Sequence, residues 1–477
     1  MNPPENNAPG GQAPTILDRA RHPISRRDID SDALKVLYRL RNHGFTAYLV
    51  GGAVRDLMLG RKPVDFDVGT NARPNQIKKL FHNAFLVGRR FRLAHVHFQG
   101  GKVIEISTFR RGPDGWDPDA VPVEPADEKT ESCGTRPGLE AGRAELPESE
   151  TAPEETNTVS DDSGQPHAGR RPGLPHRPIA FGTPAEDALR RDITINALFY
   201  DISTFAVIDY TGGLEDLEAR RIRVIGDPDE RFTEDPVRIW RVLRHAARLE
   251  FGIEGATAAA IPRNLDKIAL CPGARLFEEL YKDLKSGSSA HFFELARKYA
   301  FLPVVLGGVG RYYQDSGQAF ARLRRLLSGL DEAVFRGECP SQEILFAALL
   351  EPWTSPMLAD TNGHGDRTKI LYELFRNEGP AIQLPKALLF NSFQIHVITD
   401  HLLKTLESGR MKSSIRKCAQ YPAASVLCHL IKKGRYPESA DAFADLYHER
   451  FGSRAPQTIP RRRRRPRRKR RPFQPAA

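Results

Sequence analysis

The stretch Leu49–Thr70, LVGGAVRDLMLGRKPVDFDVGT, decides how the first part of the chain folds. The stretch begins with the last two residues of a buried strand predicted at Ala47–Val50. The pair Gly51-Gly52 turns that strand directly into a short helix ending at Gly60. VDFDV, residues 64–68, predicts a second strand. The region therefore mixes strands and helices.

Two carboxylates lie in the second of these strands. Because side chains alternate along a strand, Asp65 and Asp67 should share one face, about 7 Å apart. They would repel each other unless a cation lies between them, and Mg²⁺ prefers such oxygen ligands. Glu105, between Ile104 and Ile106 in a later strand, is a third candidate. The alternative is a solvated edge strand that happens to carry acids.

The glycine turn is the second candidate feature. Glycines allow the backbone to approach a phosphate closely, and the free N–H groups at a helix start favour an anion. Arg55 lies in the first turn of that helix, where it could hold phosphate oxygens. Asp65 follows Gly52 by thirteen residues, so a phosphate cradle and a metal site would form within a short stretch. A turn with a purely structural role is the alternative.

Two later segments carry further candidates. RRDITINAL, residues 190–198, predicts a helix in which Asp192 and Asn196 share a face beside Arg190 and Arg191. An ordinary amphipathic helix would show the same pattern.

EDPVRIWRVLRHAARL, residues 234–249, predicts a helix capped by Asp235 with Pro236 in the first helical position. One stripe of this helix is polar and could follow a phosphate backbone or read a base: Arg238, Arg241, His245 and Arg248. The alternative is a solvated basic face.

Charge is unevenly distributed along the 477 residues, whose formal net charge is +11. Residues 461–471, RRRRRPRRKRR, hold ten cations and predict an arm that binds the phosphates of nucleic acid. Residues 112–178 carry 15 acidic against 6 basic residues and 11 prolines, which predicts an acidic disordered insertion. The remainder is also basic, which favours a nucleic-acid partner. A targeting signal or a solubilising tail is the alternative role for the arginines.

Several classes of protein are disfavoured by the composition. We find no run of about 20 apolar residues and no secretory signal, so we expect no membrane association. The five cysteines are scattered and lack a CxxC pair, which argues against a disulfide scaffold or a zinc ribbon and favours a reducing, cytoplasmic location.

Together, LVGGAVRDLMLGRKPVDFDVGT, RRDITINAL and EDPVRIWRVLRHAARL resemble the class II nucleotidyltransferases, which comprise tRNA CCA-adding enzymes and bacterial poly(A) polymerases. The motifs occur in the family's order between about Arg41 and Leu284. Residues 22–40, residues 86–98 and the arginine-rich end look like the poly(A) polymerase branch. The long acidic insertion departs from the family, which usually has a shorter loop there.

The resemblance implies an α+β fold, with a palm of small mixed sheet and helices followed by an all-α neck and body. The implied boundaries are a disordered leader at 1–21, a catalytic domain at 22–211 with its insertion at 112–178, a neck at 212–285, a body at 286–455 and a disordered tail at 456–477. The body and the tail would hold RNA.

The resemblance also implies roles for individual residues. Asp65 and Asp67 would bind two Mg²⁺ ions, with Glu105 in support, and Asp192 would be a further catalytic acid. Asp235 and Arg238 would present a protein template to the base. The nucleotide would be held by a larger set: Gly51, Gly52, Arg55, Arg190, Arg191, Asn196, Asp235, Arg238 and Arg241. RNA would be held by Arg461, Arg462, Arg463, Arg464, Arg465, Arg467, Arg468, Lys469, Arg470 and Arg471.

The function expected from this resemblance is template-independent addition of AMP from ATP to RNA 3′ ends, with Mg²⁺ as cofactor. A CCA-adding enzyme is the first alternative, since it shares the catalytic motifs. A non-catalytic RNA-binding protein on a decayed scaffold is the second, and the intact Asp65, Asp67, Gly51, Gly52 and Arg55 argue against it. The sequence leaves open whether RNA-decay or RNA-chaperone proteins bind as well.

Overall fold

A computed structural model describes residues 13–88, 93–111, 181–360, 366–439, 441–452 and 457–459. The acidic insertion at 112–178, the arginine run at 461–471 and residues 1–12 of the leader lie outside the described residues.

An eight-stranded mixed sheet forms the N-terminal part. In chain order its strands are β1 (Thr15–Leu17), β2 (Ala47–Val50), β3 (Asp67–Thr70), β4 (Ala84–Val87), β5 (Leu93–His97), β6 (Val103–Thr108), β7 (Leu198–Asp201) and β8 (Ala206–Asp209). Their order across the sheet is β1-β8-β7-β2-β3-β6-β5-β4. Strands β3 and β6 are parallel, and the other neighbours are antiparallel. Segments far apart in the chain therefore meet at the centre of the sheet.

Four helices accompany this sheet: α1 (Ser31–Asn42), α2 (Gly52–Met58), α3 (Pro74–Leu80) and α4 (Pro184–Leu189). The Asp30 side chain caps α1 by accepting hydrogen bonds from the backbone N–H groups of Asp32 and Ala33. The predicted strand at 47–50 and the predicted helix after the glycine turn are confirmed.

The two faces of the sheet are covered differently. One face buries Val68, Ala84, Val96, Ile104 and Ile106 in the main hydrophobic core. On the other face a smaller apolar cluster covers the half built from β2, β7 and β8; it includes Tyr48, Val50, Phe109, Ala188 and Phe199. Asp67 of β3 and Glu105 of β6 lie at the border of that covered half.

The rest of the described chain is almost entirely helical. Its helices are α5 (Gly213–Glu218), α6 (Pro228–Glu234), α7 (Val237–Leu249), α8 (Gly255–Asn264), α9 (Gly273–Leu284), α10 (Ser289–Lys298), α11 (Leu302–Leu306), α12 (Gly308–Asp315), α13 (Gly317–Phe335), α14 (Gln342–Asp360), α15 (Arg367–Asn377), α16 (Lys386–Ser408), α17 (Tyr421–Lys433) and α18 (Ala442–Phe451). Two short parallel pairs complete it: β9 (Arg221–Ile222) with β10 (Gly252–Ile253), and β11 (Arg410–Lys412) with β12 (Gln457–Ile459). The predicted α+β architecture is confirmed. None of the described helices combines the length and the apolar composition that crossing a membrane requires.

A buried polar network fixes α7 against α9. Arg244 Nε donates to Asp283 Oδ1 at 2.6 Å, and its Nη1 donates to Glu279 Oε2 at 2.5 Å. The indole N–H of Trp240, a fully buried side chain, donates to Asp283 Oδ2 at 2.5 Å. Because buried charges are costly without partners, this set of paired groups restricts α7 to one orientation.

Three predictions are corrected by the structure. Residues 190–198 do not form an α-helix: α4 ends at Leu189, a 3₁₀ turn spans Thr194–Asn196, and β7 follows. The second strand begins at Asp67 and not at residue 64, so Asp65 precedes it. Within the predicted disordered leader, residues 15–17 form β1, because they add an edge strand to β8.

Candidate active site

The turn between β2 and α2 requires glycine at its first position. Gly51 has φ +75°, a conformation that side chains disfavour. A Cβ added there would also lie 3.2 Å from Arg191 Nη1. The turn is tied to the sheet because Gly51 N–H donates to the Leu198 carbonyl at 3.1 Å. The backbone of this turn therefore lies directly against an arginine side chain.

Three carboxylates gather beside this turn. Asp67 begins β3 and is paired in register with Glu105 of β6 and with Val50 of β2. Burial, together with the neighbouring charges of Glu105 and Asp65, raises the pKa of Asp67 to about 7, while Arg191 opposes the rise. The structure thus places Asp67 beside Glu105, with Asp65 and Arg191 near enough for their charges to act on Asp67.

This cluster fits a divalent cation. Burial and the two neighbouring carboxylates make the ionised form of Asp67 unfavourable, and a bound cation would offset this. No tight group of three His, Cys, Asp or Glu ligands occurs among the residues described. Mg²⁺ commonly binds through one or two carboxylates and completes its shell with substrate phosphates and water. Asp67 and Asp65 are the side chains that would hold it, supported by Glu105.

Asp187 of α4 positions two of the predicted nucleotide-binding arginines. It is fully buried, and its Oδ1 accepts from Arg190 Nε and Nη2 at 2.8 and 2.6 Å. Its Oδ2 accepts from Arg191 Nε and Nη2 at 3.2 and 3.0 Å. The spacing of three and four residues on a helix could have indicated these pairs, but our sequence analysis missed Asp187. This acid fixes the guanidinium of Arg191 beside Gly51.

Arg55 is buried behind the turn. Its side chain is 4% exposed and pairs with Asp56 at 2.8 Å. Its Nη1 donates to Asn196 Oδ1 at 2.6 Å, and Asn196 Nδ2 donates to His245 Nε2 at 3.2 Å. This chain of contacts joins α2, the 3₁₀ turn at 194–196 and α7. The predicted residues Arg55 and Asn196 are therefore in direct contact, beneath the backbone of Gly52.

Asp192 lies on the α7 side of the site. Its Oδ2 is 3.7 Å from Arg241 Nη1, and its Oδ1 accepts from the Ile193 N–H at 2.9 Å. Burial would raise the pKa of Asp192, but the Arg241 guanidinium and that N–H hold it below its usual value. Burial also lowers the pKa of His245 to about 3, with Arg55 adding to the effect. Asp192 is therefore an ionised carboxylate beside a neutral imidazole.

The predicted pair Asp235 and Arg238 is present, but each residue has its own partner. Asp235 Oδ2 accepts from Arg275 Nη2 of α9 at 2.8 Å, and its Oδ1 accepts from the Val237 N–H at 3.2 Å. Arg238 Nη1 donates to Glu234 Oε2 at 2.7 Å. Our sequence analysis missed Arg275, because its contact with Asp235 joins two helices that are distant in sequence.

The comparisons with known proteins agree with this geometry. Residues 47–223 match the family described as "Poly A polymerase head domain", and residues 250–309 match "Probable RNA and SrmB- binding site of polymerase A". The matched head domain contains strands β2 to β8, and the chain is similar in sequence to both poly(A) polymerases and CCA-adding enzymes.

Individual relatives fall into both branches of that family. Poly(A) polymerase I of Salmonella typhi is 40% identical over 337 residues, 70% of this chain and 63% of that protein. The CCA-adding enzyme of Bacillus pumilus is 31% identical over 301 residues, 63% of this chain and 60% of that protein. This chain thus spans less than two thirds of the length of these curated relatives.

A solved structure has the same fold. The CCA-adding enzyme of Bacillus stearothermophilus in complex with CTP aligns with a TM-score of 0.55 and 19% identity, covering 89% of this chain and 83% of that one. At this identity the likeness concerns the fold alone.

Proposed function

We propose that this protein is a template-independent nucleotidyltransferase that adds AMP from ATP to the 3′ ends of RNA and releases pyrophosphate. One observation carries the proposal: Asp67 and Glu105 lie side by side on neighbouring strands, next to the Gly51 turn and the Arg191 guanidinium. Carboxylates for a metal and donors for a triphosphate are the two things that this reaction needs from the protein.

Two arginines and the glycine turn would bind the triphosphate. Arg191, held by Asp187, would bind triphosphate oxygens together with the backbone N–H groups of the glycine turn. Arg241, beside Asp192, would add positive charge on the α7 side. Because these donors are already oriented, they would stabilise the negative charge that develops on the phosphates during the reaction.

Asp65 and Asp67 would hold Mg²⁺, with Glu105 in support, as the clustered carboxylates suggest. When bound, Mg²⁺ would offset the charge of the triphosphate and make the RNA 3′-hydroxyl more acidic. Arg55 and Asn196 would then act from behind the turn by keeping α2 and the 194–196 segment together.

Poly(A) addition is favoured over CCA addition by the identity to known proteins, which is 40% for a poly(A) polymerase and 31% for a CCA-adding enzyme. Adenine recognition would come from Asp235 and Arg238, because a carboxylate and a guanidinium can complement the amino donor and the ring acceptor of the base.

Incubation with tRNA and with an unstructured oligonucleotide, each with ATP alone or CTP alone, tests the proposal. We expect long adenylate tails on both RNAs. Addition of C to tRNA with no tailing of the oligonucleotide would support the CCA-adding alternative. Asp67→Ala should abolish extension, whereas Asp229→Asn, in an exposed ion pair with Arg263, should leave it unchanged.

The remaining assignments complete the proposal. Residues 22–211 would form the catalytic domain, 212–285 the neck and 286–455 the RNA-binding body. The scattered cysteines favour action in the reducing cytoplasm.

A further inference from the structure

The sheet face that carries the catalytic carboxylates continues past them toward one edge. The register aligns Asp67, Glu105, His95 and Phe85 across β3, β6, β5 and β4. Directly paired residues project from the same side of a sheet, so these four side chains share one face. His95 Nε2 lies 3.4 Å from Glu105 Oε2, so these two neighbouring side chains of the row are in direct contact.

The outer end of this row is apolar and exposed. Phe85 is 60% exposed, and its ring meets the His97 ring edge to face at 5.0 Å between centroids. Val87 and Val103 are 45% and 38% exposed on the same face. We call Phe85, Val87, His97 and Val103 the outer patch. Exposed apolar surface of this kind commonly marks a binding site.

The arrangement of the catalytic site determines what can approach this patch. The Gly51 turn and Arg191 occupy the covered side of Asp67, where the nucleotide triphosphate would bind. An RNA 3′ end must reach the same carboxylates, and the outer patch lies on the side opposite the turn. Three strand spacings separate Asp67 from Phe85, about 14 Å. That is roughly four nucleotides at the rise of a stacked strand.

Aromatic rings on an open sheet face are a known means of binding single-stranded RNA, because every base can stack on them. We propose that the outer patch binds the last few nucleotides of the RNA substrate by stacking, with one base on the Phe85 ring. The proposal rests on the function proposed above and adds to it the path of the RNA. Stacking on the Phe85 ring involves no charged side chain, so this contribution to binding should depend little on salt.

The test measures binding without turnover. RNA oligonucleotides carry 2-aminopurine at one of the last five positions, and their fluorescence is followed with the full chain and no nucleotide. Stacking in the wild-type protein should change the fluorescence at one or two of these positions. Phe85→Leu should abolish that change and weaken binding roughly tenfold, whereas Phe85→Trp should preserve both, because only tryptophan keeps a stacking surface.

Controls separate this contact from folding and charge. Ile16→Ala truncates an apolar side chain that is 49% exposed on β1, at the opposite edge of the sheet, and should have no effect. The ratio of wild-type to Phe85→Leu affinity should be the same at about 50 and 200 mM salt, although both affinities fall. Unchanged thermal midpoints would establish that the variants are folded.

The outcomes distinguish the two proposals. If the wild type extends RNA with ATP but Phe85→Leu binds RNA as tightly as the wild type, the outer patch is not the RNA path, and the proposed function stands. If the wild type binds and stacks RNA at Phe85 but adds no nucleotide, the proposed function is wrong, and the RNA-binding surface stands.

Discussion

Arg55 Nη1 donates a hydrogen bond of 2.6 Å to Asn196 Oδ1, which joins the helix after the glycine turn to the 3₁₀ turn that precedes β7. The two residues are 141 positions apart, and the acidic insertion lies between them in sequence. Asn196 Nδ2 in turn donates a hydrogen bond to His245 Nε2 of α7. A half-buried amide thus links the palm to the helix that carries Arg238 and Arg241.

This link should be measurable as stability. Asn196→Ala would leave Arg55 Nη1 buried without that acceptor, and we expect the free energy of unfolding to fall by about 1–3 kcal/mol. Urea denaturation measures the change. Asn42→Ala, an exposed position at the end of α1, is the matched control and should change stability little. Equal stabilities for Asn196→Ala and the wild type would contradict the role we give to the link.

Asp187 should affect nucleotide binding without touching the nucleotide. In Asp187→Asn one carboxylate oxygen becomes an amide, so Arg190 and Arg191 lose part of their shared anchor. We expect the KM for ATP to rise about tenfold or more, with the thermal midpoint altered by a few degrees. Steady-state kinetics measure the effect, and Asp229→Asn serves as control. An unchanged KM for ATP would mean that Arg191 does not bind the triphosphate.

The raised pKa of Asp67 predicts a pH-dependent cost to stability. Because its folded pKa of about 7 lies above the usual value near 3.8, the folded state binds the proton more tightly than the unfolded chain does. Stability therefore falls as pH rises from about 4 to about 7 and levels off above that. Asp67→Asn removes the charge, so its gain in thermal midpoint should be larger at pH 8 than at pH 5.5.

Magnesium should cancel this gain, because a bound cation stabilises the ionised carboxylate of the wild type. Scanning calorimetry with and without Mg²⁺ checks both parts. Asp266→Asn, at an exposed position, should show neither the pH dependence nor the Mg²⁺ dependence. A gain for Asp67→Asn that persists unchanged in Mg²⁺ would remove Asp67 from the metal site.

Local patterns predicted much of this molecule from its sequence. The strand at 47–50, the glycine turn and the amphipathic helix α7 were predictable, because each is determined by neighbouring residues: an apolar run, two glycines, or a 3.6-residue stripe. Alternation along each strand made Asp67 and Glu105 candidates, but they lie side by side only because β3 and β6 pair in the folded sheet.

Long-range pairing explains the errors. ITINALFYD is short and apolar, and periodicity alone does not separate a buried strand from a helix in such a run. Its last residues become β7 because β2 and β8 offer open edges on both sides. Arg275 and His245 were hard to assign for a related reason: their partners come from elements that only the tertiary fold brings together.

Arg275 should influence the choice of base. It holds Oδ2 of Asp235, and Arg275→Ala would free that oxygen and let the carboxylate rotate. We expect the KM for ATP to increase several-fold and the ratio of CTP to ATP incorporation to rise, because a mobile acceptor discriminates less between bases. Arg263→Ala, which removes an exposed partner of Asp229, is the control. If the CTP to ATP ratio is unchanged, Arg275 has no part in base selection.

The arginine run at 461–471 lies outside the described residues, and its role can be predicted from charge alone. Removing it takes away ten cations, so RNA affinity at low salt should fall, and the slope of log affinity against log salt should become shallower by several units. Turnover on a saturating short RNA should survive, because the proposed catalytic residues all lie between Gly51 and Arg241. A variant with every arginine of the run replaced by lysine should retain the affinity, since counterion release depends on charge and not on the guanidinium. Fluorescence anisotropy across a salt series measures these affinities, and a truncated enzyme that binds RNA at low salt as tightly as the intact chain would refute an RNA-binding role for this segment.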